Sequence, residues 1–269
     1  MNATPSQESL AKQLLVASGG DVSAATNTLQ RVARLQKKRA NATAPTGEVI
    51  VAVEQVTKAY KVGRTKVDAL KDVSLTIHKG EFVAITGTSG SGKSTLLQLL
   101  GGLDKPSTGV IAIQGQNLAK LRDGKLSTFR NKTIGFVFQF FYLQPFLNLQ
   151  TNIAVPGMFA RTPRKVRNNR SFALAEQVGL GDRVKHLPRE LSGGQMQRAA
   201  IARALQNNPS IILADEPTGN LDRANALAIF ELFKSIRDKN GTTVVVVTHD
   251  VELADIADRT IMMSDGKIV

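Results

Sequence analysis

Nine consecutive residues could do chemistry together: Gly87-Thr88-Ser89-Gly90-Ser91-Gly92-Lys93-Ser94-Thr95. Their spacing is that of a phosphate loop, G-x-x-x-x-G-K-[ST]. Glycines let successive backbone N–H groups turn inward without a Cβ clash. Those groups and the positive end of a following helix make a nest for phosphate oxygens. A lysine at position 93 is placed to reach the β- and γ-phosphates, and a serine at 94 to ligate Mg²⁺. A second group closes the apolar run Ile211-Ile212-Leu213-Ala214 with two carboxylates, Asp215 and Glu216. Beside a phosphate loop, Asp215 is suited to hold Mg²⁺ through water and Glu216 to polarise an attacking water. Taken alone, the pair is equally consistent with solvated acids at a strand end.

The elements that would position these groups are legible as periodicities. Phe82-Val83-Ala84-Ile85-Thr86 before the loop reads as a strand, and Leu96-Leu97-Gln98-Leu99-Leu100 after it as a helix. The runs 82–86, 211–214 and 243–247 are continuously apolar, as expected of parallel strands covered on both faces. Val49, Val51 and Val53 start a further strand. Val73, Leu75 and Ile77 alternate with polar residues, which suits an antiparallel sheet with one wet face. Ala226, Ile229, Phe230, Phe233 and Ile236 form one stripe of a helix over 223–239, ended by Asn240-Gly241. Residues about 148–190 read as mostly helical and interrupt this α/β core.

Composition sets the outer limits. The 269 residues are 42% apolar, enough for a sizeable core, and include no cysteine, which excludes disulfides and zinc–thiolate sites. Apolar runs such as Val244–Val247 are strand-length, far short of a membrane span. The start, Met1-Asn2-Ala3-Thr4-Pro5-Ser6, lacks a basic n-region, so no signal peptide is expected. A net charge of +13 asks for an anionic partner: nucleic acid, a membrane surface or nucleotide. Ahead of the core, 8–18 and 21–38 read as a helical hairpin across Gly19-Gly20, and 40–47 as a linker. The expected domains are therefore 1–47, a helical extension, and 48–269, a nucleotide-binding domain with a helical subdomain over about 140–205.

Further motifs carry a family resemblance over about 49–269. Leu191-Ser192-Gly193-Gly194-Gln195-Met196-Gln197-Arg198 matches LSGGQ-x-QR, and Gln139 follows the strand-like Gly135-Phe136-Val137-Phe138. Gly219-Asn220-Leu221-Asp222 and His249, after Val247-Thr248, complete the set. In this order and spacing the chain resembles the ATP-binding subunit of an ATP-binding cassette (ABC) transporter. The resemblance implies a P-loop α/β fold with an antiparallel β subdomain and an inserted helical subdomain, and Mg²⁺-dependent ATP hydrolysis. It implies Glu216 and His249 as catalytic, and Gln139 as a metal contact with Ser94 and Asp215. Tyr60 would stack on adenine with Val67 beside it. Leu191, Ser192, Gly193, Gly194 and Gln195, with Asp222 in the D-loop, would act on ATP held by a second copy in an ATP-bound homodimer.

Glu81-Phe82-Val83-Ala84-Ile85, Leu100-Gly101-Gly102-Leu103-Asp104 and Ile134-Gly135-Phe136-Val137-Phe138-Gln139 are similar to one subgroup, the LolD, MacB and FtsE ATPases. That likeness implies an FtsX/MacB-type integral membrane permease as partner and a cytoplasmic place on the inner face of the membrane. Phe140-Phe141-Tyr142-Leu143-Gln144-Pro145-Phe146 is an aromatic cluster suited to docking. Arg161, Arg164, Lys165, Arg167 and Arg170 are expected to face anionic headgroups. The alternative that the charge favours is a soluble ABC ATPase acting on nucleic acid or ribosomes. Translation factors of that kind carry two cassettes, and this chain carries one.

Overall fold

The computed structural model describes residues 47–63 and 65–269. The helical hairpin expected over 8–38 and the linker at 40–46 lie outside the described residues. Two sheets organise the described chain. The first is antiparallel and pairs β1 (Val49–Val62) with β2 (Thr65–His78) and with β4 (Thr108–Ile113), which carries the short β5 (Gln116–Asn117). In β2, Val73 and Ile77 are buried while Asp72, Ser74 and Thr76 face water, the alternation its sequence prescribes. The second sheet has the order β10-β9-β3-β8-β7-β6, and all but β10 run parallel. Its strands are β3 (Phe82–Gly87), β6 (Ile134–Phe138), β7 (Ile211–Asp215), β8 (Thr243–Val247), β9 (Arg259–Ser264) and β10 (Lys267–Ile268).

The continuous apolar runs have a direct explanation in the packing. Phe82, Ala84, Ile212, Ala214, Val244 and Val246 point into one core, shared with Ile229, Phe230, Phe233 and Ile236. Val83, Ile85, Ile211, Leu213, Val245 and Val247 point into the other, shared with Leu96, Leu97, Leu99 and Leu100. With helices on both faces, every strand position must be apolar. Helix α1 (Lys93–Leu100) lies on one face and α6 (Arg223–Asn240) on the other. Asp222 caps α6 through the Asn225 amide, and Gly241 ends it at φ 64°. Between β4 and β6 runs α2 (Asp123–Thr133), and a four-residue α7 (Val251–Ala254) follows β8.

Three helices separate β6 from β7: α3 (Leu149–Phe159), α4 (Arg164–Gln177) and α5 (Gly193–Ala204). They pack on one another, and α5 also packs on β6. The basic run over 161–170, expected to face anionic headgroups, is only partly free to do so. Arg170 turns inward, with Nε donating to the Gln206 carbonyl at 2.7 Å and its terminal nitrogen to Leu205 at 3.0 Å. Carbonyls past the end of a helix need donors, and a nearby arginine supplies them. Arg167 donates to Thr162 at 3.3 Å. Arg161, Arg164 and Lys165 remain exposed.

Candidate active site

Parallel strands deliver their following loops to one edge, and here β3, β7 and β8 are adjacent with Asp215 level with Val247. The phosphate loop leaves β3 at Gly87 and enters α1 through Gly92, at φ 98°. A Cβ on Gly92 would lie 2.5 Å from the Ala69 carbonyl oxygen, so the loop's close approach to β2 admits only glycine. Lys93 is buried and folds back over the loop, with Nζ donating to the carbonyls of Gly87 at 2.9 Å and Thr88 at 2.8 Å. An ammonium carries three donors, so one is left over.

Ser94 Oγ donates to Asp215 Oδ1 at 2.9 Å, which joins the two halves of the expected metal site. Burial pushes the Asp215 carboxyl above its usual range, against the Ser94 hydroxyl and the Lys93 charge, which pull it down. An acid whose pKa is raised on folding stabilises the fold below its unfolded pKa and loses that contribution as pH rises through the folded value. Asp215→Asn is therefore expected to raise the unfolding temperature of the metal-free protein at pH 8, with the advantage vanishing toward acid pH. Thermal melts at both pH values check this. A lower melting point at pH 8 would mean that the carboxylate is a net stabiliser.

Glu216 sits just past β7 in the left-handed region at φ 46°, unusual for a non-glycine residue and typical of functional turns. Its N–H donates to Val247 at 3.0 Å, which holds the turn against β8. This brings Oε2 to within 2.9 Å of His249 Nδ1. An ionised carboxylate only accepts, so Nδ1 carries the hydrogen of this bond. The His249 side chain is 71% exposed and that of Glu216 only 20%. A cavity of about 360 Å³ is lined by Ala69, Ser89, Gly90, Gly92, Lys93, Ser94, Thr95, Glu216 and His249. Loop, lysine, serine and the acid–imidazole pair thus share one space.

Other expected residues lie around this cavity without lining it. Tyr60 and Val67 are cross-strand partners in the β1–β2 register, with Val67 49% exposed. The Tyr60 hydroxyl donates to Asp104 Oδ2 at 2.9 Å. Burial and Asp104 push that phenol up, while the Thr95 side chain pulls it down. Gln139 is hydrogen-bonded to Asn220, 3.4 Å from Nε2 to Oδ1, and Asn220 donates back to the Gln139 carbonyl at 3.2 Å. Gln139 follows Phe138, which is level with Asp215 in the β6–β7 register, and its side chain is engaged by Asn220.

Ser192 caps α5 in a reciprocal box with Gln195, and the helix opens at Gly193. Leu191 and Gly194 are buried. A Cβ on Gly194 would meet the Asn225 side chain at 2.4 Å, so the signature turn lies against the start of α6. Asp222 accepts from the Asn225 backbone and side chain, and these bonds hold its carboxyl below the usual range. Gln197, read only as part of the signature match, and Arg203, not singled out there, support this region. Both lie on α5 and donate to carbonyls flanking Gln139, Gln197 to Phe138 and Arg203 to Phe141 and Tyr142. Burial of the Gln197 side chain is visible only in three dimensions. Among the described residues, no helix is long and apolar enough to cross a membrane.

Comparison with known proteins adds four likenesses. Residues 70–219 match the family model for ABC transporters. The lipoprotein-releasing system ATP-binding protein LolD of Bacteroides thetaiotaomicron is 46% identical over 219 residues, covering 81% of this chain and 99% of that one. The macrolide export ATP-binding/permease protein MacB 1 of Yersinia pestis is 46% identical over 220 residues, which are 82% of this chain but 34% of that one. A dimeric ATP-binding cassette, solved in a post-hydrolysis state bound to ADP and Pi, superposes with a TM-score of 0.74 at 44% identity, covering 81% of this chain and 96% of that one. These relatives favour transport over the nucleic-acid alternative. A phosphate loop, an acid after β7 and a signature helix on a fold shared with such cassettes leave one conclusion: the chain belongs to the ABC transporter family and is an ATP-binding subunit with ATPase activity.

Proposed function

We propose that the chain hydrolyses Mg²⁺–ATP as a head-to-tail homodimer and drives an FtsX/MacB-type permease from the inner face of the membrane. The observation that carries the chemistry is the single cavity uniting the phosphate loop, Ser94, Glu216 and His249. The donor set beside it suits a hard cation: a hydroxyl and a carboxylate oxygen 2.9 Å apart. Among the described residues there is no cluster of three or more His, Cys, Asp or Glu, and Mg²⁺ bound with substrate phosphates requires none. When bound, Mg²⁺ supplies charge neutralisation on the phosphates.

The chain's own groups account for the rest. Lys93 offers its remaining N–H to the phosphate oxygens. Glu216 Oε2 is held by His249, which leaves Oε1 to take a proton from water as the water oxygen bonds to the γ-phosphorus and the β–γ bridging P–O bond breaks. The products are ADP and Pi. His249, held through Nδ1, turns Nε2 toward the γ-phosphate. In the dimer, the α5 N-termini with Ser192 and Gly193 would close over the partner's γ-phosphate, helped by their dipole. Gln139 would exchange Asn220 for the metal when nucleotide arrives. The dimeric ADP-bound cassette relative supports this arrangement.

The permease reading rests on the aromatic loop after Gln139. Phe140, Tyr142 and Phe146 are exposed, Phe146 at 74%, whereas Phe141 is half-buried near Gly193. A groove of about 980 Å³ beside them is lined by Phe136, Phe138, Tyr142 and Phe159. Exposed aromatic surface on this scale suits a helix of a membrane partner. MacB, with ATP-binding and permease functions in one name, supports a permease as the partner of this cassette. Phe146→Asp is the informative change, since Phe141 has packing to lose. Basal ATPase should stay within about twofold, because surface substitutions rarely cost more than about 0.5 kcal/mol. Co-purification with the membrane partner, and its effect on ATPase rate, should be lost. Equal loss of basal activity would place the loop in the core instead.

A further inference from the structure

The base side of the site contains a charged network that the catalytic reading does not use. Lys58 and Tyr60 lie two residues apart on β1 and so share a face. Lys58 Nζ stands 4.8 Å from the centre of the Tyr60 ring. The same ammonium donates to Asp104 Oδ1 at 2.7 Å and to the Lys105 carbonyl at 2.8 Å. Its side chain is only 12% exposed, so these bonds are shielded from water. Asp104 Oδ2 takes the Tyr60 hydroxyl, and Asp104 Oδ1 also takes the Lys105 N–H at 2.7 Å. Burial pushes the Asp104 carboxyl up, but Lys58, the Lys105 N–H and Tyr60 outweigh it and hold the group below its usual range. It is therefore ionised at neutral pH.

The attachment points matter. Asp104 follows the C-terminal turn of α1, and Thr95, whose side chain lowers the pKa of the same phenol, lies in its first turn. Helix α1 begins at Lys93, inside the phosphate loop. A ring on the antiparallel sheet is thus tied through its hydroxyl to the segment that directly follows the helix carrying the phosphate cradle. With its hydroxyl committed to Asp104, Tyr60 has its ring, and not a hydrogen bond, to offer a base. The cation over one face leaves the other for stacking.

We propose that Lys58 and Asp104 are positioning residues that hold the Tyr60 ring at a fixed offset from the phosphate loop, so that adenine stacks in register with its own triphosphate. This rests on the reading of Tyr60 as the base platform. Neither residue touches the reacting atoms, so their loss should appear in nucleotide binding and not in turnover.

The test is steady-state ATPase of the full chain, with inorganic tripolyphosphate as a competitive inhibitor that has phosphates but no base. Tyr60→Ala should raise KM for ATP at least about tenfold, the scale of a lost base–aromatic stack. Lys58→Met and Asp104→Asn should each raise it about threefold, with kcat within about twofold and the tripolyphosphate inhibition constant unchanged. Combined, they should cost little more than either alone, because they act as one network. Lys58→Arg should restore KM, since a guanidinium can both pair with Asp104 and stack on the ring. If Tyr60→Ala raises KM while Lys58→Met and Asp104→Asn leave it unchanged, the positioning role is wrong and the platform stands. If Tyr60→Ala itself has no effect, the platform reading fails and the proposal with it. A tripolyphosphate constant that rises in parallel with KM would also overturn the proposal, because the damage would then lie in the phosphate loop.

Discussion

Glu216→Gln protein is expected to bind ATP as the unmodified chain does and to hydrolyse it at least about a hundredfold more slowly, the usual scale of general-base assistance. The amide keeps the size of the side chain and can still accept from His249 Nδ1, 2.9 Å away in the native site. The left-handed turn at φ 46° and the backbone bond to Val247 are untouched by the change. What is removed is a basic oxygen able to take a proton from water. Lys93, Ser94 and the glycine loop remain, so nucleotide affinity should be preserved. Because the dimer would close on ATP and reopen only after hydrolysis, the variant should also accumulate as an ATP-bound dimer. Phosphate release, fluorescent-nucleotide binding and size-exclusion chromatography with ATP measure the three quantities. Hydrolysis at the unmodified rate would remove Glu216 from the chemistry and shift attention to His249, whose exposed ring would then be the remaining candidate base.

The parts of the site legible in sequence are those that local spacing defines. The strand–glycine–helix succession locates Lys93 and Ser94 because the helix must start where the phosphate binds. The runs at 211–214 and 243–247 locate Asp215, Glu216 and His249 because parallel strands end at a common edge. Long-range pairings are not written in local spacing. Arg170 reads as one of five like charges, yet it is drawn in by carbonyls at the end of α5, 35 and 36 positions away. Gln139 reads as a metal contact, yet its hydrogen bonds go to Asn220, 81 positions on. Lys58 is not singled out by any local pattern, and its partner is 46 positions on, in the residues following α1. In each case a side-chain hydrogen bond to a distant group decides the orientation. Apolar periodicity carries no information about such bonds.

Lys93→Ala should weaken ATP binding by about tenfold to a hundredfold. That range corresponds to loss of one charge-assisted hydrogen bond of about 1.5–3 kcal/mol. The structure refines how the loss is incurred. Two of the three ammonium donors already serve the Gly87 and Thr88 carbonyls, so the lysine shapes the loop before any nucleotide arrives. Removing it takes away the phosphate contact and loosens the cradle whose N–H groups bind the same phosphates. Lys93→Arg should not rescue binding: the side chain is buried, and a planar guanidinium cannot occupy the volume of an ammonium while keeping both carbonyl bonds. The effect should depend on phosphate number. Because Lys93 is read as meeting the β- and γ-phosphates, AMP affinity should change far less than ATP affinity. Binding titrations of ATP, ADP and AMP, with circular dichroism to confirm that the variant is folded, separate these contributions. An ATP dissociation constant within about threefold of the unmodified protein, or equal losses for ATP and AMP, would show that Lys93 holds the loop without meeting the terminal phosphates.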